Sequence, residues 1–325
     1  MRFSKYFKLK EYSQKDFEFI DIRIDWDNKL FIDPTRIEAE NDELAIECDQ
    51  IILDFFNTVL DLYENKQIEE ARSNLVYSGE SNEIYLGYTE GFPQGTGNSE
   101  EELNEIFNFI HIKELISKGL IGRIEDLHVF IDKFGCDKMS DLIASLIKKK
   151  LVEFTIQQCE IYNIKRDFKL ERKFWNHMNN KWEEFVEYVP SIKGVGKRDF
   201  PIVLVPKKFV VSSYLYDAEK YWEKIVSIRR QEYHRQEQTL LYLNKANNRG
   251  QLNKKEIWDY ESKGRSLKEY LIDYTENDLT AIDSFREGIK NTQRSNENNA
   301  LSDEDIDQII NDSMNEQSID KEIRG

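Results

Sequence analysis

Apolar and polar positions follow two different spacings along this chain, and together the spacings predict a mostly helical α+β protein. Residues 17–33 alternate with a period of two around 27–28, which predicts a β-hairpin that ends at Asp33-Pro34. From residue 38 to about 71, apolar side chains recur every three or four positions, which predicts a long amphipathic helix.

The rest of the chain is divided by the same two spacings. The predicted elements are a strand at 84–88, a helix at 100–118, a short helix from 124 to 134, helices at 140–162 and 167–189, a strand or hairpin at 202–211, a long basic helix at 217–247 and at least one helix in 254–290. We expect the early hairpin and the two later strand segments to form one small sheet. From Thr292 the composition favours disorder, with a short helix within 301–314 that is capped by Ser302 and folds on a partner.

Charge is distributed unevenly, and this suggests a division into three parts. Residues 1–160, expected to be an acidic α+β part, hold 18 Lys and Arg against 33 Asp and Glu. Residues 161–293 are expected to be mainly helical and mildly basic, or to continue the first domain, and 294–325 form the acidic tail predicted to be disordered. A net charge of −16 disfavours non-specific binding of nucleic acid by the whole chain. A local basic surface in the back half stays possible.

Cysteine usage and hydropathy bear on the compartment. Cys48, Cys136 and Cys159 are an odd number without CxxC spacing, so a disulfide framework or thiolate zinc site is not indicated. The N-terminal residues show no signal-peptide apolar region, and no stretch has the roughly 18 apolar residues of a membrane helix. We therefore expect a cytoplasmic protein that does not enter a membrane.

Carboxylates that stand near predicted element ends are the candidate catalytic residues. Asp33 follows the apolar pair at 31–32, and Asp137 and Asp141 lie in the stretch FGCDKMSDL. These three would be metal ligands, with Mg²⁺ as the possible ion and Lys207 as a lysine that stabilises charge. Turn initiation at Asp33 and capping of a helix that begins at about residue 140 explain most of the same features. Helix capping does not by itself require two carboxylates beside a lysine.

Two other stretches give weaker signals for a functional site. The glycine-rich loop at 87–97 precedes a helix, but Glu100, Glu101 and Glu102 crowd the turn where a phosphate would bind, so a structural loop is favoured. Cys136 allows a thiol-dependent hydrolase, although the sequence identifies no adjacent base.

Basic residues in the back half are interleaved with aromatic ones, which is typical of nucleic-acid grooves. The candidate nucleic-acid-binding residues are Lys197, Arg198, Lys208, Arg229 and Arg230. Glutamates in the same helix favour ordinary ion pairs as the alternative interpretation.

Three longer blocks resemble a family of uncharacterised bacterial proteins: LGYTEGFPQGTG from Leu86, FIDKFGCDKMSDLIASLIKKKLVEFTIQQCEIYNI, and PIVLVPKKFVV. FIDP at 31–34 resembles the N-terminal block of the same family, and together the blocks cover roughly the first two thirds of the chain. The resemblance implies an association with bacterial defence or mobile islands, and it assigns no catalytic residue.

Two functional hypotheses follow from the sequence. The first is a cytosolic defence-type protein that acts on nucleic acid, either as a metal-dependent nuclease effector or as the partner subunit of that effector. The alternative is a non-enzymatic subunit that docks a basic protein partner through its acidic surface and tail.

Overall fold

The computed structural model of the protein describes residues 1–75, 81–87, 100–132, 134–193, 199–247, 251–295 and 300–312. These residues are predominantly helical with small antiparallel sheets, so the predicted α+β class is confirmed. The chain divides into two compact units. Unit 1 comprises residues 1–109, 135–214 and 293–325, and unit 2 comprises residues 110–134 and 215–292. Residue 160, where the charge distribution suggested a boundary, lies inside unit 1.

A helix covers residues 303–312, and fourteen α-helices precede it in the described part of the chain. They are α1 (Phe3–Tyr6), α2 (Pro34–Ala39), α3 (Glu43–Glu64), α4 (Ile68–Leu75), α5 (Glu100–Ile112), α6 (Asp126–Phe130), α7 (Cys136–Leu146), α8 (Lys148–Ile161), α9 (Ala218–Tyr221), α10 (Ser227–Gln236), α11 (Leu240–Asn247), α12 (Lys254–Glu261), α13 (Leu267–Asn277) and α14 (Thr280–Ser295). None of the helices in the described ranges is long and apolar enough to cross a membrane.

The small sheet of unit 1 differs from the predicted one. Strand β1 (Phe31–Ile32) pairs antiparallel with β6 (Val210–Val211), and a single bridge joins Asn28 to Leu86. Parts of the three predicted segments therefore come together, but the early hairpin is wrong, 84–88 contributes a bridge and not a strand, and 202–211 is a strand only at its last two residues. Residues 17–30 instead form an irregular segment, because Phe19 bridges to Pro206 rather than to its own neighbours.

A second correction concerns residues 167–189, which the sequence predicted to be helical. They form the hairpin of β2 (Phe168–Asn176) and β3 (Lys181–Val189), and a short pair of β4 (Ser191–Lys193) and β5 (Asp199–Pro201) follows. Trp175 and Trp182 are cross-strand partners with ring centroids 5.9 Å apart. Trp175 is fully buried and donates its Nε1 hydrogen to Asp54 of α3, so the tip of the hairpin is fixed to that helix.

Helix α3 forms the largest helical contribution to the core of unit 1. Its buried stripe runs from Ala45 to Tyr63 at helical spacing, as the sequence predicted. The predicted helix at 140–162 is two helices, α7 and α8, and α7 begins four residues earlier than expected.

Unit 2 is stabilised by one buried carboxylate. Asp126 is fully buried and accepts hydrogen bonds from the backbone of Gly122 and Arg123 at 2.8 and 2.9 Å. It also accepts hydrogen bonds from the Tyr216 hydroxyl and from Arg286, both at 2.6 Å. The segment 110–134 is thereby joined to the helices of 215–292.

Candidate functional site

Asp33 caps a helix in the interior of unit 1. Its Oδ1 atom accepts hydrogen bonds from the backbone and the hydroxyl of Thr35, both at 2.8 Å, so it serves as the N-cap of α2. The side chain is 1% exposed, and its Oδ2 atom has no hydrogen-bond partner among the described residues. Burial raises the pKa of this carboxyl, against the opposing effect of Thr35.

The charges of the three predicted carboxylates all act on one buried phenol, that of Tyr214. The Tyr214 hydroxyl donates to the Ile32 carbonyl at 2.6 Å. Burial raises the pKa of Tyr214, and the charges of Asp33, Asp141 and Asp137 raise it further. Among the described residues, however, no group of three His, Cys, Asp or Glu side chains is placed to hold a metal ion.

Local structure accounts for the positions of Asp137 and its neighbours. Gly135 is the N-cap of α7, and Asp137 lies in the first turn, where a negative charge favours the helix dipole. Ser140, at the position where the sequence predicted the helix to begin, lies within α7 and accepts the backbone hydrogen of Ile32 at 3.0 Å. A Cβ atom added at Gly87 would lie 2.7 Å from Asp137 Oδ1, and Gly87 has φ +130°, so glycine is needed there.

The ion pair described for Lys207 is with a carboxylate of the tail. Its Nζ atom lies 2.9 Å from Asp303 Oδ1, in the acidic segment near the C-terminus. The grouping of Lys207 with Asp33, Asp137 and Asp141 stays a prediction, and the ion pair described for Lys207 lies elsewhere.

Where the structure describes them, the predicted nucleic-acid-binding residues form ion pairs within their own units. Lys208 pairs with Asp42, Arg229 with Asp278, and Arg230 with Glu261. Lys197 and Arg198 lie outside the described residues, as does most of the glycine-rich loop.

A different group of cations is exposed at the start of unit 1. Residues 2–15, here called the basic segment, contain five basic residues and one acidic residue. Lys5, Lys8, Lys10 and Lys15 are exposed, and none of them forms an ion pair with a described residue. The excess of basic residues over 2–15 is visible in the sequence when that stretch is counted alone. It is concealed when the charge is summed over residues 1–160, which are acidic as a whole.

Apolar and polar anchors hold the basic segment against unit 1. Phe3 and Leu9 are buried, and the backbone of Phe3 donates to the Ile22 carbonyl at 2.9 Å. Asp21 accepts both the backbone and the hydroxyl hydrogen of Ser4 at 2.7 Å. The buried side chains thus fix the backbone, while the lysines between them extend into solvent.

The tail helix, residues 303–312, packs beside the basic segment. Ile306 and Ile310 are fully buried, four residues apart on one helical face. Arg2 pairs with Asp307 at 3.1 Å, and Lys207 pairs with Asp303 at 2.9 Å. The helix predicted within 301–314 is present, and Ser302 accepts the Asp305 backbone hydrogen as its predicted cap. Residues 303–312 of the tail therefore pack against other residues of the same chain.

Comparison with known proteins finds one match. A family model described as "Domain of unknown function (DUF8370)" matches residues 8–217, which is well over half of the chain. No curated protein and no solved structure matches it significantly.

Proposed function

The chain belongs to the DUF8370 family, and we propose that it binds single-stranded nucleic acid through its basic segment. The observation that carries this proposal is a set of exposed lysines, Lys5, Lys8, Lys10 and Lys15, that form no ion pair with any residue the structure describes. A lysine that already pairs with a carboxylate gains little free energy from binding a phosphate. These four lysines can each bind a phosphate without breaking a described ion pair.

Electrostatics supports a polyanion as the ligand of this segment. Lysines that neutralise phosphates release condensed counterions, and this release supplies most of the affinity of non-specific nucleic-acid binding. Tyr12 is 47% exposed among the lysines and gives a base a ring on which to stack. Because buried anchors already order the backbone, binding loses less conformational entropy than it would on a free tail.

A membrane surface is the other polyanion that such a segment could meet, but the arrangement favours it less. A helix that binds a bilayer inserts its apolar face between lipids. Here the apolar residues Phe3 and Leu9 are buried in unit 1. The exposed lysines and Tyr12 then remain for the lipid surface, without a continuous apolar face.

Binding rather than cleavage is the function that the geometry supports best. The nuclease hypothesis needs metal ligands, and Asp33 is occupied as a helix cap while Lys207 pairs with Asp303. Two further predictions accompany this proposal. One is that this chain or a partner subunit cleaves nucleic acid, and the other is that the protein has a role in bacterial defence.

Fluorescence anisotropy with a labelled 20-nucleotide single strand tests the proposal. The test variant combines Lys5→Gln, Lys8→Gln and Lys10→Gln. The matched control removes the same charge from three exposed lysines elsewhere that form no described ion pair: Lys66, Lys224 and Lys255. We expect the test variant to bind about tenfold or more weakly, with a log-affinity against log-salt slope that is shallower by about 2, and the control to bind like the wild type.

Three results would overturn the proposal. They are no binding by the wild type at low salt, equal losses in the test and control variants, and binding to vesicles that contain phosphatidylserine without binding to the strand. A melting temperature for each variant confirms that all the proteins compared are folded.

A further inference from the structure

Unit 2 contains an open cavity of about 400 Å³ with polar and aromatic side chains in its lining, a volume within the range of small-molecule sites. Helices α10, α12 and α13 supply most of its walls. At its base, Glu261 accepts hydrogen bonds from Arg230 at 3.0 Å, from His234 at 2.7 Å, and from the Tyr270 hydroxyl. Burial alone would raise the pKa of Glu261, but Arg230 and Tyr270 lower it, so this residue remains an anion held by its donors.

The cations of the cavity differ in their availability. Arg230 is matched by Glu261, and Arg265 pairs with Asp273. Lys263 is exposed and forms no ion pair with a described residue. It follows the last residue of α12 in a left-handed turn, with φ +50°, and Gly264 continues that turn at φ +81°. This turn fixes the position of the one cation in the lining without a matching carboxylate.

Aromatic rings line the rest of the cavity. Tyr233 and Tyr260 are 44% and 54% exposed, although tyrosine rings are usually covered on at least one face. The guanidinium of Arg230 lies 4.1 Å from the centre of the Tyr233 ring, so the other face of that ring is left for a ligand. Exposed tyrosines beside a free cation favour a ligand with a planar ring and an anionic group.

We propose that this cavity binds a nucleoside phosphate, with Lys263 at the phosphate and Tyr260 against the base. The site belongs to unit 2, lies outside the residues matched by the family model, and does not depend on the basic segment. It therefore adds a small-molecule ligand to the proposed binding of a strand.

Isothermal titration calorimetry on the full chain tests this site with AMP, adenosine and inorganic phosphate as separate probes. We expect AMP to bind and Lys263→Glu to weaken it at least tenfold. Lys255→Glu makes the same charge change at an exposed position of α12 that does not line the cavity, and it should leave the affinity unchanged. Tyr260→Ala should weaken AMP about fivefold and leave the affinity for inorganic phosphate as it was.

The proposal is overturned if the wild type shows no binding at about 10 mM AMP, far above the range in which small ligands usually bind specifically. Equal effects of Lys263→Glu and Lys255→Glu would overturn it too. If inorganic phosphate binds as tightly as AMP, the cavity is an anion site and not a nucleoside site. Retained AMP binding in the Lys5, Lys8 and Lys10 variant separates this proposal from failure of strand binding.

Discussion

Lys207 lies 2.9 Å from Asp303, ninety-six residues later in the chain, and this ion pair joins the start of the tail helix to the rest of unit 1. A second pair, Arg2 with Asp307 at 3.1 Å, repeats the arrangement one turn further along the helix. Two carboxylates of the tail thus neutralise two cations beside the exposed lysines. If the basic segment binds phosphates, the tail helix competes for the same charges.

Removing the tail carboxylates should therefore strengthen binding of a single strand. We expect Asp303→Asn with Asp307→Asn to raise the affinity about threefold or more at about 50 mM salt, since Arg2 and Lys207 become available to phosphate. The control, Glu304→Gln with Asp312→Asn, removes the same charge from exposed positions of the tail helix that form no described ion pair. Anisotropy measures both. An equal gain in the control would show only an effect of net charge.

The tail helix should also be among the first parts of unit 1 to open. Its packing depends on Ile306 and Ile310, each of which contributes about 1.5–3 kcal/mol on burial, and a helix of ten residues is marginal in isolation. We expect Ile310→Ala to accelerate amide hydrogen exchange throughout 303–312 and to leave exchange in α3 unchanged. Ile309→Ala, at a half-buried neighbouring position, serves as the comparison. Unaltered exchange in Ile310→Ala would contradict this account of the docking.

Part of the fold was readable from the sequence because it depends on local spacing. The apolar stripe of α3 and the Ser302 cap of the tail helix are local patterns, and both were predicted. The β2–β3 hairpin was missed because its strands show no clear period-two alternation, and Trp175 and Trp182 are seven residues apart, as on one face of a helix. Asn180, with φ +51°, forms the turn that makes them cross-strand partners.

The candidate sites depend on contacts between distant residues, and here the sequence was less informative. Asp33 was a plausible ligand at a strand end, but only the fold shows that Thr35 engages it and that Lys207 faces Asp303 instead. Whether a lysine is free or paired depends on side chains many residues away. The unpaired lysines of the basic segment could not be distinguished from paired ones by composition.

A buried ion pair in unit 1 gives a prediction about pH. Lys148 lies 2.8 Å from Glu83, both side chains are about 5% exposed, and Arg172 adds a third charge at 3.3 Å. Burial alone would raise the pKa of Glu83, but Lys148 and Arg172 lower it to about 2. Because the folded pKa is below the unfolded value, the stabilisation is present above about pH 4.5 and is lost as the pH falls toward 2.

Lys148→Met should therefore lower the free energy of unfolding by about 3 kcal/mol at pH 7, since it leaves the buried Glu83 carboxylate with the half-exposed Arg172 as its remaining ion partner. The difference from wild type should shrink as the pH falls below about 4.5 in urea titrations. Lys150→Met is a suitable control, because Lys150 pairs with the half-exposed Glu47 and Glu153 and should contribute within about 1 kcal/mol. A loss for Lys148→Met that does not vary with pH would refute the assignment to Glu83.

Asp126 allows the stability of unit 2 to be tested with a matched pair of substitutions. Arg286 pairs with Asp126, which is fully buried, and also with Asp283, which is 69% exposed. Asp126→Ala should cost about 3–5 kcal/mol, because it leaves the Tyr216 hydroxyl, the Arg286 charge and two backbone hydrogens without their acceptor. Asp283→Ala removes a surface pair of the same arginine and should cost less than about 1 kcal/mol. Urea unfolding followed by tryptophan fluorescence and near-ultraviolet circular dichroism measures both. Similar losses in the two variants would show that the burial of Asp126 does not determine the stability of this unit.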